Sequence, residues 1–456
     1  MKMIFKRFMS EGLSHFSYMV GSGREAAVVD PGRDVWRYLK HALDIDHRIV
    51  AIFETHRHED LVSGGIELWE RTGAPVYHGR GTELAYGEEV KEGDTFDIGS
   101  LSLEVLETPG HTDESISISV KEEKESVPLM VFTGDLLFYG DTGRVDLYGE
   151  ERSEANAEKM YHSIFQKLFG LGDHVVIYPA HGQGSVCGGS ITEREVSTIG
   201  YEKKKDPLLG MDRSEFILKK LKEEMERPSY FDRMEKMNTE GPPLLTRRGD
   251  IEPMDLETFM RVRSSGAQVV DTRHPCAFAG GHVPGSLNIW MDGLGQFAGW
   301  MLDDEGEILL LDWNGDRMEE ARIFLERVGL DNVKGYLSRG FDAYAGKGLP
   351  LANARMATIP HSKELLAFED TFILDVRNRS SWERGGHIGG ALRIFVGELP
   401  ERIDEVPRDK KVLIYCDTGF KTGIAASVLL QHGYHDVHLL QGGLEAWNES
   451  GMYIEH

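Results

Sequence analysis

The sequence predicts a multidomain α/β protein, in which a strand-rich, layered first domain precedes two homologous α/β domains with parallel sheets. Three observations support this prediction. The chain has 456 residues, and at ~150 residues per domain this length suggests about three folding units. Short apolar runs separated by turn residues fill the first 200 residues, and the second half contains an internal repeat.

The composition is typical of a globular protein with an acidic surface. Hydrophobic residues make up 40% and charged residues 28% of the chain, without an apolar run long enough to cross a bilayer. The net charge of −25 repels phosphate backbones and anionic lipids. We therefore expect no nucleic-acid partner and no membrane association.

The cysteine content indicates a reducing compartment. Cys187, Cys276 and Cys416 are too few and too scattered for a disulfide framework. The first residues also lack the apolar core and the small-residue cleavage site of a secretory signal. The predicted location is the cytoplasm.

The first domain is predicted to span residues 1–240. Its strand-like runs lie at 26–30, 49–56, 101–107, 115–120, 129–135 and 175–181. A helical pattern follows, and the stretch 216–227 places four apolar side chains near helical spacing: Phe216, Leu218, Leu221 and Met225. Two prolines and a glycine within 238–245 then favour a connector.

The second half repeats itself with an offset of about 104 residues, from Asp271 to Asp375 and from Gly329 to Gly433. Each copy is predicted to run strand, turn, helix, strand, loop, helix, strand, which is the alternation of a parallel α/β sheet. The predicted domains are 241–352 and 353–456.

Histidines and an aspartate follow several apolar runs of the first domain: His56, His58, His111, Asp135 and His181. Strand ends of one layered sheet can converge, and imidazole together with carboxylate binds borderline divalent cations. These residues therefore predict a metal site.

The motifs THRHEDL at 55–61, TPGHT at 108–112, TGD at 133–135 and PAHG at 179–182 resemble those of the metallo-β-lactamase-fold superfamily. This resemblance covers roughly residues 1–240 and implies an αββα sandwich. The usual first motif is His-x-His-x-Asp-His, and this chain has Leu61 at its last position. A ligand of the second metal is thus absent, which disfavours a dinuclear zinc site.

Similarity to the persulfide dioxygenase branch implies one mononuclear Fe(II) ion held by His56, His111 and Asp135. Two imidazoles and one carboxylate form a facial triad that leaves positions open for dioxygen and a thiolate-type substrate. The residues expected to surround and orient these ligands are His58, Asp60 and His181.

Two further residues are candidates for the substrate side of this site. Cys187 lies in a glycine-rich loop after His181 and could accept or relay sulfur, or it could be an inert buried thiol. Arg144 could be a surface residue, and we favour its role as an anchor for an anionic thiol carrier.

In the last domain an apolar strand ends at Cys416, and a short loop leads into a helix. Backbone N–H groups and the helix N-terminus lower a thiol pKa and hold a thiolate or persulfide. Cys416 is therefore the predicted nucleophile, assisted by Lys421. The loop residues expected to bind the substrate are Asp417, Thr418, Gly419, Phe420 and Thr422.

This loop, with the segments 374–391 and 439–447, resembles the rhodanese family. Between Cys416 and Lys421 lies one residue fewer than a tyrosine-phosphatase loop has between its cysteine and arginine, so the ring suits sulfur better than phosphate. The middle domain has Asp312 at the matching position, and a carboxylate cannot form a persulfide. We expect that domain to be inactive and Cys276 to be structural.

The whole chain resembles the bacterial persulfide dioxygenase–sulfurtransferase fusions of sulfide detoxification. The resemblance implies that a low-molecular-weight thiol persulfide is oxidised by O2 to sulfite, and that Cys416 transfers sulfane sulfur to sulfite to give thiosulfate. A homo-oligomer is also expected.

Two alternatives remain open from the sequence. One is a glyoxalase-II-like metal-dependent thioester hydrolase fused to a sulfurtransferase, because a hydrolase with one zinc ion tolerates Leu61. The other is a sulfur-carrier protein without turnover, in which Cys416 relays sulfur and the first domain is a metal-bound scaffold.

Overall fold

The computed structural model of the chain describes residues 2–245 and 249–455. It divides into two compact units, Met1–Arg248 and Gly249–His456. Among the described residues, none of the helices combines the length and the apolar character that a membrane span requires.

The first unit contains two six-stranded sheets. The strands of the first sheet are β1 (Ile4–Ser10), β2 (His15–Ser22), β3 (Glu25–Val29), β4 (Arg48–Glu54), β5 (Val76–Gly79) and β6 (Glu88–Val90). They lie side by side in chain order. The pairs β1–β2 and β2–β3 are antiparallel, and the remaining pairs are parallel.

The second sheet has the order β12-β11-β10-β9-β8-β7. Its strands are β7 (Thr95–Ile98), β8 (Leu101–Glu107), β9 (Ile116–Glu122), β10 (Met130–Gly134), β11 (Val176–Pro179) and β12 (Ser197–Thr198). Only β10 and β11 pair in parallel in this sheet.

The two sheets pack face to face, with helices on their outer faces. Strand β10 illustrates the layering, because Phe132 lies in the core between the sheets and its neighbour Val131 packs in the core beneath the helices. Buried on both faces, such a strand has a continuous apolar sequence. The helices of this unit are α1 (Trp36–Asp44), α2 (Gly65–Thr72), α3 (Glu150–His162), α4 (Ile199–Lys205), α5 (Arg213–Leu221) and α6 (Phe231–Glu240). The predicted αββα sandwich is confirmed.

Helix α5 differs from its prediction. It ends at Leu221, and Leu218 and Leu221 are exposed, whereas Phe216 and Lys220 are buried. Residues 216 and 218 point to opposite sides of a helix, so the apolar pattern did not define one face. Phe216 and Lys220, four residues apart, do share a face, and that face packs inward.

The second unit contains two five-stranded parallel sheets with the same topology. One has the order β13-β17-β16-β14-β15, with strands β13 (Pro253–Met254), β14 (Gln268–Asp271), β15 (Leu287–Asn288), β16 (Ile308–Leu311) and β17 (Val333–Leu337). The other has the order β18-β22-β21-β19-β20, with strands β18 (Arg355–Ala357), β19 (Thr371–Asp375), β20 (Leu392–Arg393), β21 (Lys411–Tyr415) and β22 (Val437–Leu440).

The helices of the second unit surround these two sheets. They are α7 (Leu256–Ser264), α8 (Pro275–Gly280), α9 (Leu294–Met301), α10 (Met318–Arg327), α11 (Gly340–Ala345), α12 (Ile359–Leu366), α13 (Arg379–Gly385), α14 (Lys421–Gln431) and α15 (Gly443–Glu449). The two copies share a buried ion pair at the same place, Arg273 with Asp271 and Arg377 with Asp375. The predicted pair of α/β domains with parallel sheets is confirmed.

Candidate metal centre and sulfur-transfer loop

The predicted metal ligands of the first unit follow the ends of three strands and converge. His56 lies two residues beyond β4, His111 lies beyond β8, and Asp135 directly follows β10. Each of the three residues offers a ligand atom within 4.8 Å of the others. The Nε2 atoms of His56 and His111 lie 3.7 and 3.5 Å from Oδ2 of Asp135.

Hydrogen bonds fix both imidazoles with Nε2 directed at Asp135. Nδ1 of His56 lies 2.9 Å from Oγ1 of Thr55, whose hydroxyl donates to Asp30 and therefore accepts from the ring. Nδ1 of His111 donates to the carbonyl of Arg144 at 3.0 Å. Within the described part of the chain, neither Nε2 atom has a hydrogen-bond partner, although both are buried.

Such orphaned buried acceptors carry a large desolvation cost unless an ion satisfies them. Burial lowers the pKa of His56 and of His111, which keeps both rings neutral and able to ligate. Burial alone would raise the pKa of Asp135, but the charge of His181 and its hydrogen bond to the carboxylate outweigh burial and hold that pKa well below its ordinary value. The three residues therefore fit a divalent metal ion.

His58, Asp60 and His181 form a second group beside the first, again with ligand atoms within 4.8 Å of one another. His181 bridges the two groups, with Nδ1 2.7 Å from Oδ1 of Asp135 and Nε2 2.9 Å from Oδ2 of Asp60. These two carboxylates raise the pKa of His181 well above its ordinary value, although burial acts in the opposite direction. Leu61 is buried next to this group in sequence.

The sequence analysis missed three residues around this centre. Asp30 accepts hydrogen bonds from N and Oγ1 of Thr55, at 2.7 and 2.9 Å. His15, also buried, has ring contacts with His58 and His181 at centroid distances of 5.2 and 5.4 Å. Asp30 carried the same signal as the predicted ligands, because it directly follows a buried strand.

Cys187 reaches the same centre. Its sulfur belongs to a group with Asp135 and His181 whose ligand atoms lie within 4.8 Å of one another. The side chain is buried and packs with Phe138 and Ile191. Burial, together with the charges of Asp60 and Asp135, raises the pKa of its thiol well above the ordinary value. The group at this position is therefore a protonated thiol.

Arg144 does not occupy the position expected of a substrate anchor. Its side chain is wholly buried, and its guanidinium donates to both carboxylate oxygens of Asp146 and to the carbonyls of Val186 and Glu226. Through these internal partners, Arg144 holds its loop in place. The backbone carbonyl of Arg144 itself orients His111. The structure thus places a buried clamp at a position for which the sequence left a surface residue and a substrate anchor open.

The sulfur-transfer loop of the second unit connects β21 to α14. Cys416 is buried at the end of the strand, and its Sγ accepts a hydrogen bond from N–H of Gly419 at 3.1 Å. Nζ of Lys421 lies 3.1 Å from Oδ2 of Asp417, so the positive charge of the loop is balanced within the loop. Thr422 is buried, and its hydroxyl donates to the carbonyl of Gly419.

The remaining predicted loop residues face outward to different extents. Thr418 is exposed, whereas Asp417, Gly419 and Phe420 are half-buried. Burial raises the pKa of the Cys416 thiol and outweighs the lowering by Lys421 and by N–H of Gly419. The expectation of a lowered thiol pKa is therefore wrong, because the buried thiolate loses more hydration than the loop restores.

In the middle domain, the carboxylate of Asp312 occupies the corresponding loop. Its Oδ1 accepts hydrogen bonds from N–H of Asn314, at 2.9 Å, and of Gly315. The carboxylate of Asp312 thus occupies the space that the backbone N–H groups of its loop enclose. Cys276 is exposed on α8, so its side chain is not part of the buried core.

Comparisons with known proteins agree with this architecture. Residues 11–181 match the family model of the metallo-β-lactamase superfamily, and residues 257–347 and 361–450 match that of the rhodanese-like domain. A crystal structure of a metallo-β-lactamase from Staphylococcus aureus subsp. aureus COL is 31% identical, with a TM-score of 0.66, and the alignment covers 74% of this chain and 100% of that one. The chain belongs to the metallo-β-lactamase superfamily.

Within that superfamily it combines the metallo-β-lactamase fold with tandem rhodanese-like domains and has persulfide dioxygenases among its relatives. Persulfide dioxygenase ETHE1 of Bos taurus is 27% identical over 221 residues, covering 48% of this chain and 80% of its own length. Hydroxyacylglutathione hydrolase GloC of Haemophilus influenzae is 26% identical over 209 residues, covering 41% of this chain and 88% of its own length.

Proposed function

We propose that the protein is a non-haem Fe(II) persulfide dioxygenase coupled to a rhodanese-type sulfurtransferase. The observation that carries this proposal is the convergence of two orphaned imidazole Nε2 atoms, of His56 and His111, on one carboxylate oxygen of Asp135. Two imidazoles and one carboxylate are the ligand set of mononuclear non-haem iron oxygenases. Similarity to a persulfide dioxygenase supports the same assignment.

The residues around the triad favour one metal ion. Leu61 supplies no ligand, and His181, which could reach a second ion, is placed between Asp135 and Asp60. Oδ2 of Asp135 lies 3.0 Å from Nδ1 of His181 and is also directed at His56 and His111. When bound there, Fe(II) would supply the redox chemistry by which O2 oxidises the sulfane sulfur of a thiol persulfide. The balanced reaction converts RSSH, O2 and H2O into RSH, sulfite and two protons.

The second half-reaction takes place at Cys416. Its thiolate attacks the outer sulfur of a second persulfide, the S–S bond of that persulfide breaks, and the thiol RSH leaves. Sulfite then attacks the outer sulfur of the Cys416 persulfide, and thiosulfate leaves as the cysteine thiolate is restored. The N–H of Gly419 and the charge of Lys421 stabilise the sulfur anion in both steps. Cys187 is proposed to contact the substrate at the iron side, because its sulfur lies with Asp135 and His181.

A hydrolase fused to a sulfurtransferase is the second candidate. Similarity to hydroxyacylglutathione hydrolase GloC and the group His58, Asp60 and His181 favour it. It requires a metal-activated water and consumes no O2. A non-turnover sulfur carrier would load Cys416 with persulfide and release neither sulfite nor thiosulfate.

One assay separates these functions. Protein reconstituted anaerobically with Fe(II) is mixed with glutathione persulfide and O2 in an oxygen electrode, and sulfite and thiosulfate are quantified. We expect O2 consumption with thiosulfate as product when persulfide is in excess. Protein that consumes no O2 would disprove the dioxygenase assignment.

Two variants assign the half-reactions. Cys416→Ser should consume O2 at the parental rate and release sulfite in place of thiosulfate. Asp135→Ala should lose iron and O2 consumption but retain sulfur transfer from thiosulfate. Thiosulfate formation by Cys416→Ser at the parental rate would contradict the proposed coupling.

A further inference from the structure

Three aromatic side chains meet beside the sulfur-transfer loop, although they come from different copies of the repeat. The ring of Phe420, in the catalytic loop, lies 5.0 Å from His274 and 5.3 Å from Trp290, both of the catalytically silent middle domain. We call these three residues the aromatic wall. The ring of Trp290 also packs against Phe297, at a centroid distance of 5.4 Å.

The two copies are joined tightly at this place. Gly423, in the first turn of α14, approaches the middle domain so closely that an added Cβ would lie 2.1 Å from Oδ1 of Asn288 and 3.0 Å from Cβ of Pro275. Farther along the helix, Oγ of Ser427 accepts a hydrogen bond from N–H of Asn288 at 3.0 Å. The helix that begins at the catalytic loop is therefore fixed against the domain that supplies His274 and Trp290.

The aromatic wall also stays accessible at the opening of the loop. His274 is exposed, and Trp290 and Phe420 are half-buried, whereas Cys416, four residues before Phe420, is buried. Within the loop, the charges of Lys421 and Asp417 cancel, because the two side chains pair. A donor whose sulfur reaches Cys416 must leave the rest of its structure outside the loop, next to these aromatic side chains.

We propose that the aromatic wall binds the organic part of the thiol persulfide that donates sulfur to Cys416. This inference rests on the proposed sulfur transfer and assigns a role to the silent domain: His274 and Trp290 determine donor specificity. Aromatic faces bind the methylene and amide groups of a thiol carrier through packing and dispersion. An inorganic donor such as thiosulfate has no carbon skeleton and gains nothing from the wall.

The test compares two donors on the full chain under anaerobic conditions. Trp290→Ala is assayed for sulfur transfer to cyanide from glutathione persulfide and, separately, from thiosulfate. We expect the KM for glutathione persulfide to rise about five- to tenfold, which corresponds to the loss of one aromatic contact, while its kcat stays within about twofold. Both constants for thiosulfate should stay within about twofold. Trp290→Phe should restore most of the affinity for glutathione persulfide.

Trp313→Ala is the matched control, because Trp313 is an exposed tryptophan of the same domain that contacts Arg273 and Phe341. This variant should change the KM and kcat of neither donor. If Trp290→Ala lost activity equally with both donors, the role of Trp290 would be structural and the proposal would be overturned. Parental kinetic constants with both donors would also overturn it. A parental chain that transfers sulfur from neither donor would overturn the proposed sulfurtransferase itself, so the two failures are distinguishable.

Discussion

His56 is oriented by a chain of hydrogen bonds that runs from Asp30 through Thr55 to Nδ1 of the imidazole. Because the threonine hydroxyl donates to Asp30, its oxygen accepts from the ring, and the lone pair remains on Nε2. Partners of this kind raise ligand basicity and hold the ring in place. The metal site therefore depends on residues that are not ligands.

The substitution Thr55→Val removes this hydrogen bond while nearly preserving the shape of the side chain. We expect iron affinity to fall about 10- to 100-fold. The measurement is iron retained per chain during titration with a competing chelator. Thr72→Val is the control, because Thr72 is a half-buried threonine of α2 whose hydroxyl donates to the helix carbonyl of Leu68 and accepts from N–H of Ala74, and so contacts no residue of the metal centre. Equal iron retention in both variants would contradict the role of Thr55.

Cys416 gives a pH dependence whose sign follows from its surroundings. Burial raises the pKa of the thiol, so the reactive thiolate is a minor species at neutral pH and its fraction grows as the pH rises. The rate of single-turnover sulfite release from thiosulfate should therefore increase steadily from neutral to alkaline pH. In Lys421→Gln the loss of a positive charge raises the thiol pKa further and moves the profile to higher pH. A flat profile in the parental chain would contradict this account.

The site was predictable from the sequence only in part, and the reason differs from residue to residue. The predicted metal ligands His56, His111 and Asp135 directly follow or lie near strand ends in recognisable motifs, and the structure brings them together. The burial of Arg144 was not predictable, because an isolated arginine carries no signal that distinguishes a surface residue or a substrate anchor from a buried clamp. The raised pKa of Cys416 depends on burial, which no spacing of residues encodes.

Among the elements, α14 has a tight packing requirement, because it begins at the loop that carries Cys416 and also contacts the middle domain. The side chain of Asn288 cannot move easily away from Gly423, since its Nδ2 donates to the carbonyls of Asp271 and Arg273. The absence of a Cβ at Gly423 is thus a condition for this contact.

Gly423→Ala should destabilise this junction. Overpacking costs about 1–3 kcal/mol, and the gain of up to about 1 kcal/mol from alanine in a helix offsets only part of it. We expect faster hydrogen exchange in peptides covering 412–433, equivalent to a net loss of about 1–2 kcal/mol. Gly280→Ala is the control, because the described structure has no atom within 4 Å of the added Cβ there. Parental exchange rates in Gly423→Ala would contradict the close contact.

The strands were more predictable than the helices. A strand such as β10 is buried on both faces, so its apolar run is continuous and visible in the sequence. The buried face of α5 was not visible, because it combines Phe216 with Lys220, whose ammonium pairs with Glu223 at 2.5 Å. A buried lysine with an internal partner looks like a surface residue in the sequence.

At the scale of the whole molecule, one chain carries a candidate metal centre in one compact unit and the rhodanese-like loop with Cys416 in the other. The internal repeat was predictable by comparing the sequence with itself, and both copies have the same sheet order. The contact of His274 and Trp290 with Phe420 was not predictable, because it joins residues far apart in sequence that share no periodicity.

If sulfite links the two half-reactions as a free intermediate, two variants that each lack one half-reaction should complement each other. An equimolar mixture of Asp135→Ala and Cys416→Ser, supplied with Fe(II), O2 and glutathione persulfide, should form thiosulfate, because sulfite released by one chain reaches Cys416 of the other. The measurement is the time course of thiosulfate, which should show a lag that shortens when sulfite is added. A mixture that accumulates sulfite without thiosulfate would contradict a freely diffusing intermediate.

The most direct test of the account is the metal content of the purified full-length chain, measured together with its O2 consumption. The ligand set His56, His111 and Asp135, with Leu61 beside it, predicts one iron ion per chain and one O2 consumed per persulfide oxidised. Two zinc ions per chain, with thioester hydrolysis and no O2 consumption, would contradict it.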